Sequence, residues 1–222
     1  MNKLSKRLEV VANFIEDNTK VIDIGCDHGL LSIYLAQKYK NINIIASDVN
    51  KNALSSAVKN IKQANLEDKI ETRLGSGIEI VSPEEIDTIV IAGMGSNTIV
   101  GMLKYSKEKL VDVNNIIVQS NTDQYFLRKN ITKIGYLIED EVLVEDKNII
   151  YTVIKFTKGK KRYSYKELYL GPILLQKQDK LFKEKNKKEL KTMKMINKNI
   201  TKGHYLYRLK IKRNIKILEN LK

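Results

Sequence analysis

Residues 21–29 read VIDIGCDHG. The apolar run that contains Val21, Ile22 and Ile24 breaks at Gly25, and from Leu30 the apolar residues resume at helical spacing. A strand, a glycine-bearing turn and a helix in that order are the setting of a nucleotide-binding loop. The spacing here is Asp-x-Gly-x-Asp-x-Gly: Asp23 and Asp27 flank the turn, and Gly25 and Gly29 frame it. A carboxylate beside a pyrophosphate in a partly buried site costs Coulomb energy, whereas beside a cationic group it is favourable. The loop therefore disfavours NAD or ATP and suits a nucleoside ligand that carries positive charge. A plain capping role for Asp27 at the following helix is the alternative.

Outward from this loop, strand-like and helix-like stretches alternate. LSKRLEVVANFI places Leu4, Leu8, Val11, Ala12 and Ile15 at helical spacing, ending near Asn18. KVIDIG, INIIASD, IETRLGSG (strand and turn), IDTIVIAGMGS and NNIIVQSN read as five strands, with helices between them over LLSIYLAQKY, NALSSAVKNIKQANL and NTIVGMLKYSKEKL. The fourth strand is nearly all apolar, as a central strand of a parallel sheet would be. After the helix DQYFLRKNITKIG, YLIEDEVLVE and IIYTVIKFTK flank the turn DKN and predict an antiparallel hairpin. The expected fold is α/β: a Rossmann-like, doubly wound, mostly parallel sheet with a terminal antiparallel hairpin.

The other strand ends add to the first loop. Asp48, at the end of strand two in ASDVN, stands 25 residues beyond Asp23. An acid there accepts the two ribose hydroxyls of an adenosine ligand, with Val49 and Asn50 beside it; alone, it would be a cap or turn former. Gly75-Ser76-Gly77 ends strand three and would wall the adenine, or serve only as a turn. Ala92-Gly93-Met94 ends strand four, where glycine lets a backbone approach a ligand closely. Strand five ends in Gln119-Ser120-Asn121, whose amides would bond a base edge or form an Asx turn. S-adenosylmethionine has no phosphate and carries a sulfonium and an ammonium, so it is the cofactor this acidic set suits.

Charge divides the chain. Residues 1–157 hold 19 Lys and Arg against 21 Asp and Glu, whereas residues 158–222 hold 21 against 5, so a net of +16 sits in the tail. The tail also changes pattern: Pro172 stands at a plausible helix start, and Leu174, Leu175, Leu181, Leu190, Met193, Ile196 and Ile200 recur at threes and fours. TKGHY breaks the run at Gly203, and Leu206, Leu209, Ile211, Ile215 and Leu218 follow. Two amphipathic helices in an antiparallel coiled coil are expected. The boundary is placed between a domain over residues 1–160 and a basic helical hairpin over residues 161–222. Cys26 is the single cysteine, which excludes an intramolecular disulfide and points to a reducing cytosol. No stretch approaches the roughly 18 apolar residues of a membrane span, and MNKLSKRLEVVANF has no apolar signal core.

The ordered set LSKRLEVVA, DIGCDHG, ASDVN, GSG, IAGMGS, VQSN and GPILL resembles the bacterial tRNA (adenine-22, N1)-methyltransferase family, over nearly the whole chain. The resemblance implies a class I methyltransferase domain with a C-terminal coiled coil, S-adenosylmethionine as donor, and N1 of adenine 22 in the tRNA D stem as acceptor. The family commonly has a glycine at Ser96 and a proline at Ser120. An Asn-Pro-Pro-aromatic motif is absent after strand four, which fits a ring nitrogen as nucleophile better than an exocyclic amine. On this reading Asp23, Gly25, Asp27, Gly29, Asp48, Val49, Asn50, Gly75, Ser76, Gly77, Ala92, Gly93 and Met94 bind the cofactor. Asp27, His28, Met94 and Asn121 surround the reacting centre, with Asp27 accepting from the adenine amine and His28 positioning the base or relaying a proton; simple helix packing is the alternative for His28. Arg7, Lys160, Lys161, Arg162, Arg208, Lys212 and Arg213 are expected to hold tRNA; for Arg7 the cofactor carboxylate is the other candidate partner, and a solvated helix face the alternative. Tyr163, Tyr165, Tyr169, Tyr205 and Tyr207 are candidates to stack on unpaired bases. No metal and no membrane contact are expected, and a cytoplasmic monomer is, with dimerisation through the hairpin as the alternative. The competing readings are a methyltransferase of another RNA or a small molecule, and a non-catalytic RNA-binding scaffold.

Overall fold

A computed structural model describes residues 4–200 and 205–221. The chain divides into two compact units, residues 1–173 and 174–222.

The first unit is built on seven strands: β1 (Lys20–Ile24), β2 (Asn43–Asp48), β3 (Ile70–Leu74), β4 (Thr88–Met94), β5 (Asn115–Ser120), β6 (Tyr136–Asp146) and β7 (Ile149–Lys158). Their order in the sheet is β3-β2-β1-β4-β5-β7-β6. The first five are parallel, and β7 runs antiparallel to both β5 and β6. The fourth strand does take the middle place. Alternate residues feed opposite faces, as the two-residue period requires. Val21, Val90 and Ile117 face a core completed by α1 (Lys6–Asn13), α2 (Leu30–Lys38) and α3 (Lys51–Gln63). Ile22, Ile89, Ile91, Ile116 and Val118 face the other, completed by α4 (Ser96–Tyr105) and α5 (Gln124–Lys133). The strand order reverses between β1 and β4, and a doubly wound sheet takes its ligand at the carboxyl ends of the strands flanking such a switch point.

Three local features differ from the sequence pattern. The first helix stops at Asn13, short of Asn18. A short helix, α6 (Tyr165–Leu170), follows directly on the basic, aromatic stretch over roughly residues 158–165 that reads as a linker; Ser164 and Glu167 make a reciprocal capping box at its start. The helix starting at Pro172 is not continuous to Ile200. It runs as α7 (Pro172–Lys177), breaks at Gln178 with φ +42°, and resumes as α8 (Lys180–Asn199) under an Asp179 cap.

The compact-unit boundary follows from a buried ion pair. Arg128 on α5 and Glu141 on β6 are almost fully buried and meet at 2.6 Å. Arg128 Nη1 donates to the carbonyls of Leu168 and Tyr169, and Glu141 Oε2 accepts from the Ile173 N–H at 3.1 Å. Residues 161–173 are thereby tied to the first unit, and the boundary expected at residue 160 falls inside it.

In the second unit α8 and α9 (Tyr205–Glu219) pair antiparallel: Lys194 meets Glu219 at 2.6 Å, and Arg208 donates to the Ile200 carbonyl at 3.3 Å. The turn expected at Gly203 lies outside the described residues. Among the described residues no helix is long and apolar enough to cross a membrane.

Candidate active site

The loop after β1 is held by backbone bonds that leave Asp27 at the rim. The N–H groups of Gly25 and Cys26 both donate to the Ser47 carbonyl on β2, at 2.8 and 2.9 Å. Gly25 takes φ +74°, a left-handed conformation that favours glycine, and the Met94 side chain packs over it so closely that a Cβ there would lie 2.5 Å from Cε. Asp27 also adopts a left-handed conformation, φ +50°, which Asp tolerates better than most residues. Its N–H donates to Asp48 Oδ2 at 3.2 Å, while Asp48 Oδ1 accepts from the Asn50 N–H at 2.8 Å. Asp48 is thus locked in orientation by its two neighbours, and the exposed Asp27 carboxylate stands beside it. Asn50 also caps α3, and Val49 projects into solvent. Gly29 is the N-cap of α2, whereas the Asp27 carboxylate makes no cap there.

Asp23 is placed differently from Asp27. It lies in β1, buried, and accepts a hydrogen bond from Ser32 Oγ at 2.7 Å. Burial pushes its pKa up to about 6; the Ser32 bond opposes the rise and the Asp48 charge adds to it. Burial, with Asp23 and Asp48 adding, also pushes the Cys26 thiol far up, so it is not a nucleophile at neutral pH. His28 Nε2 lies 3.6 Å from Asp27 Oδ1 and is exposed, and the His28 carbonyl accepts from Asn60. Gly75 donates its N–H to the Asp48 carbonyl at 3.1 Å, which brings Gly75-Ser76-Gly77 to the same rim.

The opposite lip is formed by β4 and β5. Their register shifts between Ala92 and Met94, where Gly93 takes φ +92° and bulges out. Such bulges re-aim groups beside active sites. Asn121 straps the bulge: its backbone N–H donates to the Met94 carbonyl at 3.0 Å and its Nδ2 to the Gly93 carbonyl at 2.7 Å. Asn121 Oδ1 accepts from Nε2 of the fully buried Gln119 at 3.0 Å, and Gln119 Oε1 accepts from Arg7 Nη1. Arg7 is therefore engaged within the site, and its guanidinium packs 5.4 Å from the Tyr151 ring centre. Ser96 and Ser120, the two departures from the family pattern, are both buried and both bond Thr122. Ser96 Oγ lies 3.0 Å from Thr122 Oγ1, and Ser120 Oγ accepts the Thr122 N–H at 3.2 Å.

Of the expected tRNA contacts, Lys160, Lys161 and Arg162 lie exposed after β7, and Arg208, Lys212 and Arg213 lie on α9. The tyrosines separate into two groups. Tyr163 hydroxyl accepts the Ile138 N–H at 2.8 Å, and Tyr165 packs against Tyr125 and Tyr169, so these three are engaged within the fold. Tyr205 and Tyr207 are exposed. Sequence reasoning missed Ser32 and Thr122. Ser32 sits three residues past Gly29, in the first turn of α2, so its position was a usable signal; Thr122 carried none. Among the described residues no group of three or more His, Cys, Asp or Glu could hold a metal ion.

A doubly wound sheet with an exposed carboxylate at Asp27, an Asp48 carboxylate held by two backbone N–H groups and a glycine-bearing bulge at Gly93 fits S-adenosylmethionine, and so defines a Rossmann-like methyltransferase. The comparisons agree. The model of the tRNA (adenine(22)-N(1))-methyltransferase family matches residues 21–220. The tRNA (adenine(22)-N(1))-methyltransferase of Bacillus subtilis is 31% identical over 207 residues, which cover 90% of this chain and 87% of that protein. The crystal structure of the B. subtilis m1A22 tRNA methyltransferase TrmK matches with a TM-score of 0.90 at 27% identity, over 100% of this chain and 99% of that one. The structure of M. capricolum TrmK with S-adenosylhomocysteine matches with a TM-score of 0.83 at 30% identity, over 97% and 96%. The chain belongs to the tRNA (adenine(22)-N(1))-methyltransferase family.

Proposed function

We infer that this chain transfers a methyl group from S-adenosylmethionine to N1 of adenine 22 in the D stem of tRNA. Beyond family membership, the observation that carries this reading is the joined Asp27–Asp48 pair after β1 and β2 together with the Gly93–Met94 bulge at the end of β4, the strand beside β1. When bound, S-adenosylmethionine supplies an electrophilic methyl on a sulfonium. Asp48, held by the N–H groups of Asp27 and Asn50, accepts the ribose hydroxyls, with Val49 and Asn50 beside it. Gly75, Ser76 and Gly77 wall the adenine, Asp23, Gly25 and Gly29 shape the loop beneath the methionine portion, and Ala92, Gly93 and Met94 line the meeting point of donor and acceptor. Ring N1 presents an in-plane lone pair and needs no deprotonation, so positioning and charge stabilisation are the enzyme's main tasks. The acceptor base must be displaced from its stem to reach the site. Asp27 accepts a hydrogen bond from the adenine amine, whose acidity rises as N1 gains the methyl, and the exposed His28 beside it helps position the base. Asn121 shapes the acceptor side.

Lys160, Lys161, Arg162, Arg208, Lys212 and Arg213 bind tRNA phosphates, Tyr205 and Tyr207 being the tyrosines exposed enough to stack on bases. The α8–α9 pair acts as a short antiparallel coiled coil, and the enzyme works without metal as a cytoplasmic monomer.

The test is incubation with labelled S-adenosylmethionine and unmodified tRNA, followed by digestion and nucleoside identification. One-methyladenosine confined to the D stem is expected; cofactor binding with no tRNA methylation would assign the chain a different acceptor. Asp27→Asn keeps a residue tolerant of the left-handed backbone. Loss of one charge-assisted hydrogen bond, about 1.5–3 kcal/mol, should lower kcat roughly 10- to 100-fold. Cofactor affinity should also fall, because the loop loses one of the charges that suit a cationic ligand; an unchanged kcat at saturating cofactor would remove Asp27 from the mechanism.

A further inference from the structure

Arg7 enters the site from α1, which precedes the sheet in sequence, yet its guanidinium meets Gln119 at the carboxyl end of β5. An amide side chain has one accepting end and one donating end, and a guanidinium only donates. Arg7 therefore pairs with Gln119 through Oε1, which leaves Nε2 to donate to Asn121 Oδ1 at 3.0 Å. With Oδ1 turned to Gln119, Asn121 presents Nδ2 to the Gly93 carbonyl at 2.7 Å. Each amide takes its orientation from the group before it. Gln119 is fully buried, so a misoriented or unpaired amide there is costly. Reversed, the two amides would set Asn121 Oδ1 against the Gly93 oxygen, lone pair against lone pair, at the one place where β4 bulges.

Arg7 is itself held on both sides: its backbone N–H donates to Asp146 Oδ2 at 3.4 Å and its guanidinium packs on the Tyr151 ring. A Cβ at Gly93 would stand 3.3 Å from Arg7 Nη1, so the bulge and the guanidinium are also in near contact. We propose that Arg7 is a positioning residue for methyl transfer: through Gln119 it fixes the Asn121 amide, and with it the Gly93–Met94 bulge against which the acceptor base is set. This rests on the reading that donor and acceptor meet at that bulge. It removes Arg7 from the phosphate contacts expected of it, because the guanidinium is engaged with the protein.

Two variants test it. Arg7→Met removes the donor and keeps much of the bulk. Gln119→Glu keeps a partner for Arg7 but has no N–H for Asn121. Both should lower kcat at least tenfold, with KM for tRNA and for S-adenosylmethionine changed less than about threefold. A phosphate contact would do the reverse in Arg7→Met: KM for tRNA would rise, its logarithmic salt slope would fall by about one, and kcat would hold. That pattern, or wild-type kcat in either variant, overturns the proposal. The free protein gives a readout independent of activity. The side-chain amide signals of Asn121, assigned with Asn121→Asp, should shift in both variants, and unmoved signals overturn the relay. Wild-type enzyme inactive on tRNA would instead sink the functional reading, leaving those signals to decide the relay.

Discussion

Asp23 is the residue whose charge works against the fold. Its carboxyl ionises near 6 when folded and near its ordinary 3.8 when unfolded. Between those values the folded state holds a proton that the unfolded state has released. Stability from this group therefore falls as pH rises from about 4 through 6, and above that range the ionised carboxylate costs the fold about 3 kcal/mol. Asp23→Asn keeps an acceptor for Ser32 Oγ and removes the charge. Denaturant melts of variant and wild type should show the variant ahead at pH 7, by up to about 3 kcal/mol, and level near pH 4. A constant difference across that range would show that burial does not set this group's ionisation. The neighbouring charge is Asp48, so a bound cation would relieve the same cost. Cofactor affinity should accordingly rise from pH 5 to 7 in the wild type and stay flat in Asp23→Asn. The sequence made Asp23 and Asp27 look like equals around one turn; burial inside β1 separates them, and the one-letter pattern has no record of that difference.

At the scale of the element, local chemistry was legible and long-range pairing was not. The five parallel strands, the hairpin and the helix beginning after Gly29 follow from apolar period and glycine position, and the structure has them in those places. The capping box at Ser164 and Glu167 was equally local and readable, yet a basic, aromatic linker read as ending near residue 165 gave α6 no place. What composition could not show is why the stretch is fixed. Arg128 and Glu141, 13 residues apart in sequence, bury their charges together and hold the end of α6 and the turn to α7. Gly171 sits over this pair with φ +98°, and a Cβ there would stand 2.6 Å from Glu141 Oε2. This gives the Gly-Pro of GPILL a structural reason. Removing one partner from a buried ion pair costs about 3–5 kcal/mol, while replacing both with apolar side chains is often far milder. Glu141→Leu should therefore lower Tm by several degrees, and Arg128→Met with Glu141→Leu should recover part of that loss. Equal melting of single and double variants would mean that the pair's geometry, not its charge balance, holds the segment.

For the whole molecule, charge and topology divide the work. The sheet places its switch point between β1 and β4, so the acids at Asp27 and Asp48 and the lip at Gly93 were brought together by strand order that the β–α alternation foretold. Arg7 and Gln119 were not: they are 112 residues apart, and a basic residue on the first helix reads from sequence as a surface charge. The tail carries the opposite lesson. Its net of +16 in residues 158–222, against −2 before it, is visible without any structure, because phosphate binding needs charge density and not a particular contact. Charge reversal at Lys212 and Arg213, exposed on α9, should therefore weaken tRNA binding uniformly across tRNA sequences and lower the logarithmic salt slope by about one per lost contact. S-adenosylmethionine affinity should not move, since neither residue belongs to the crevice of the first unit. Binding titrations at several salt concentrations read both quantities. A weakened affinity with an unchanged slope would mean that α9 acts by shape and not by charge, and an unchanged affinity would confine the tRNA grip to Lys160, Lys161 and Arg162.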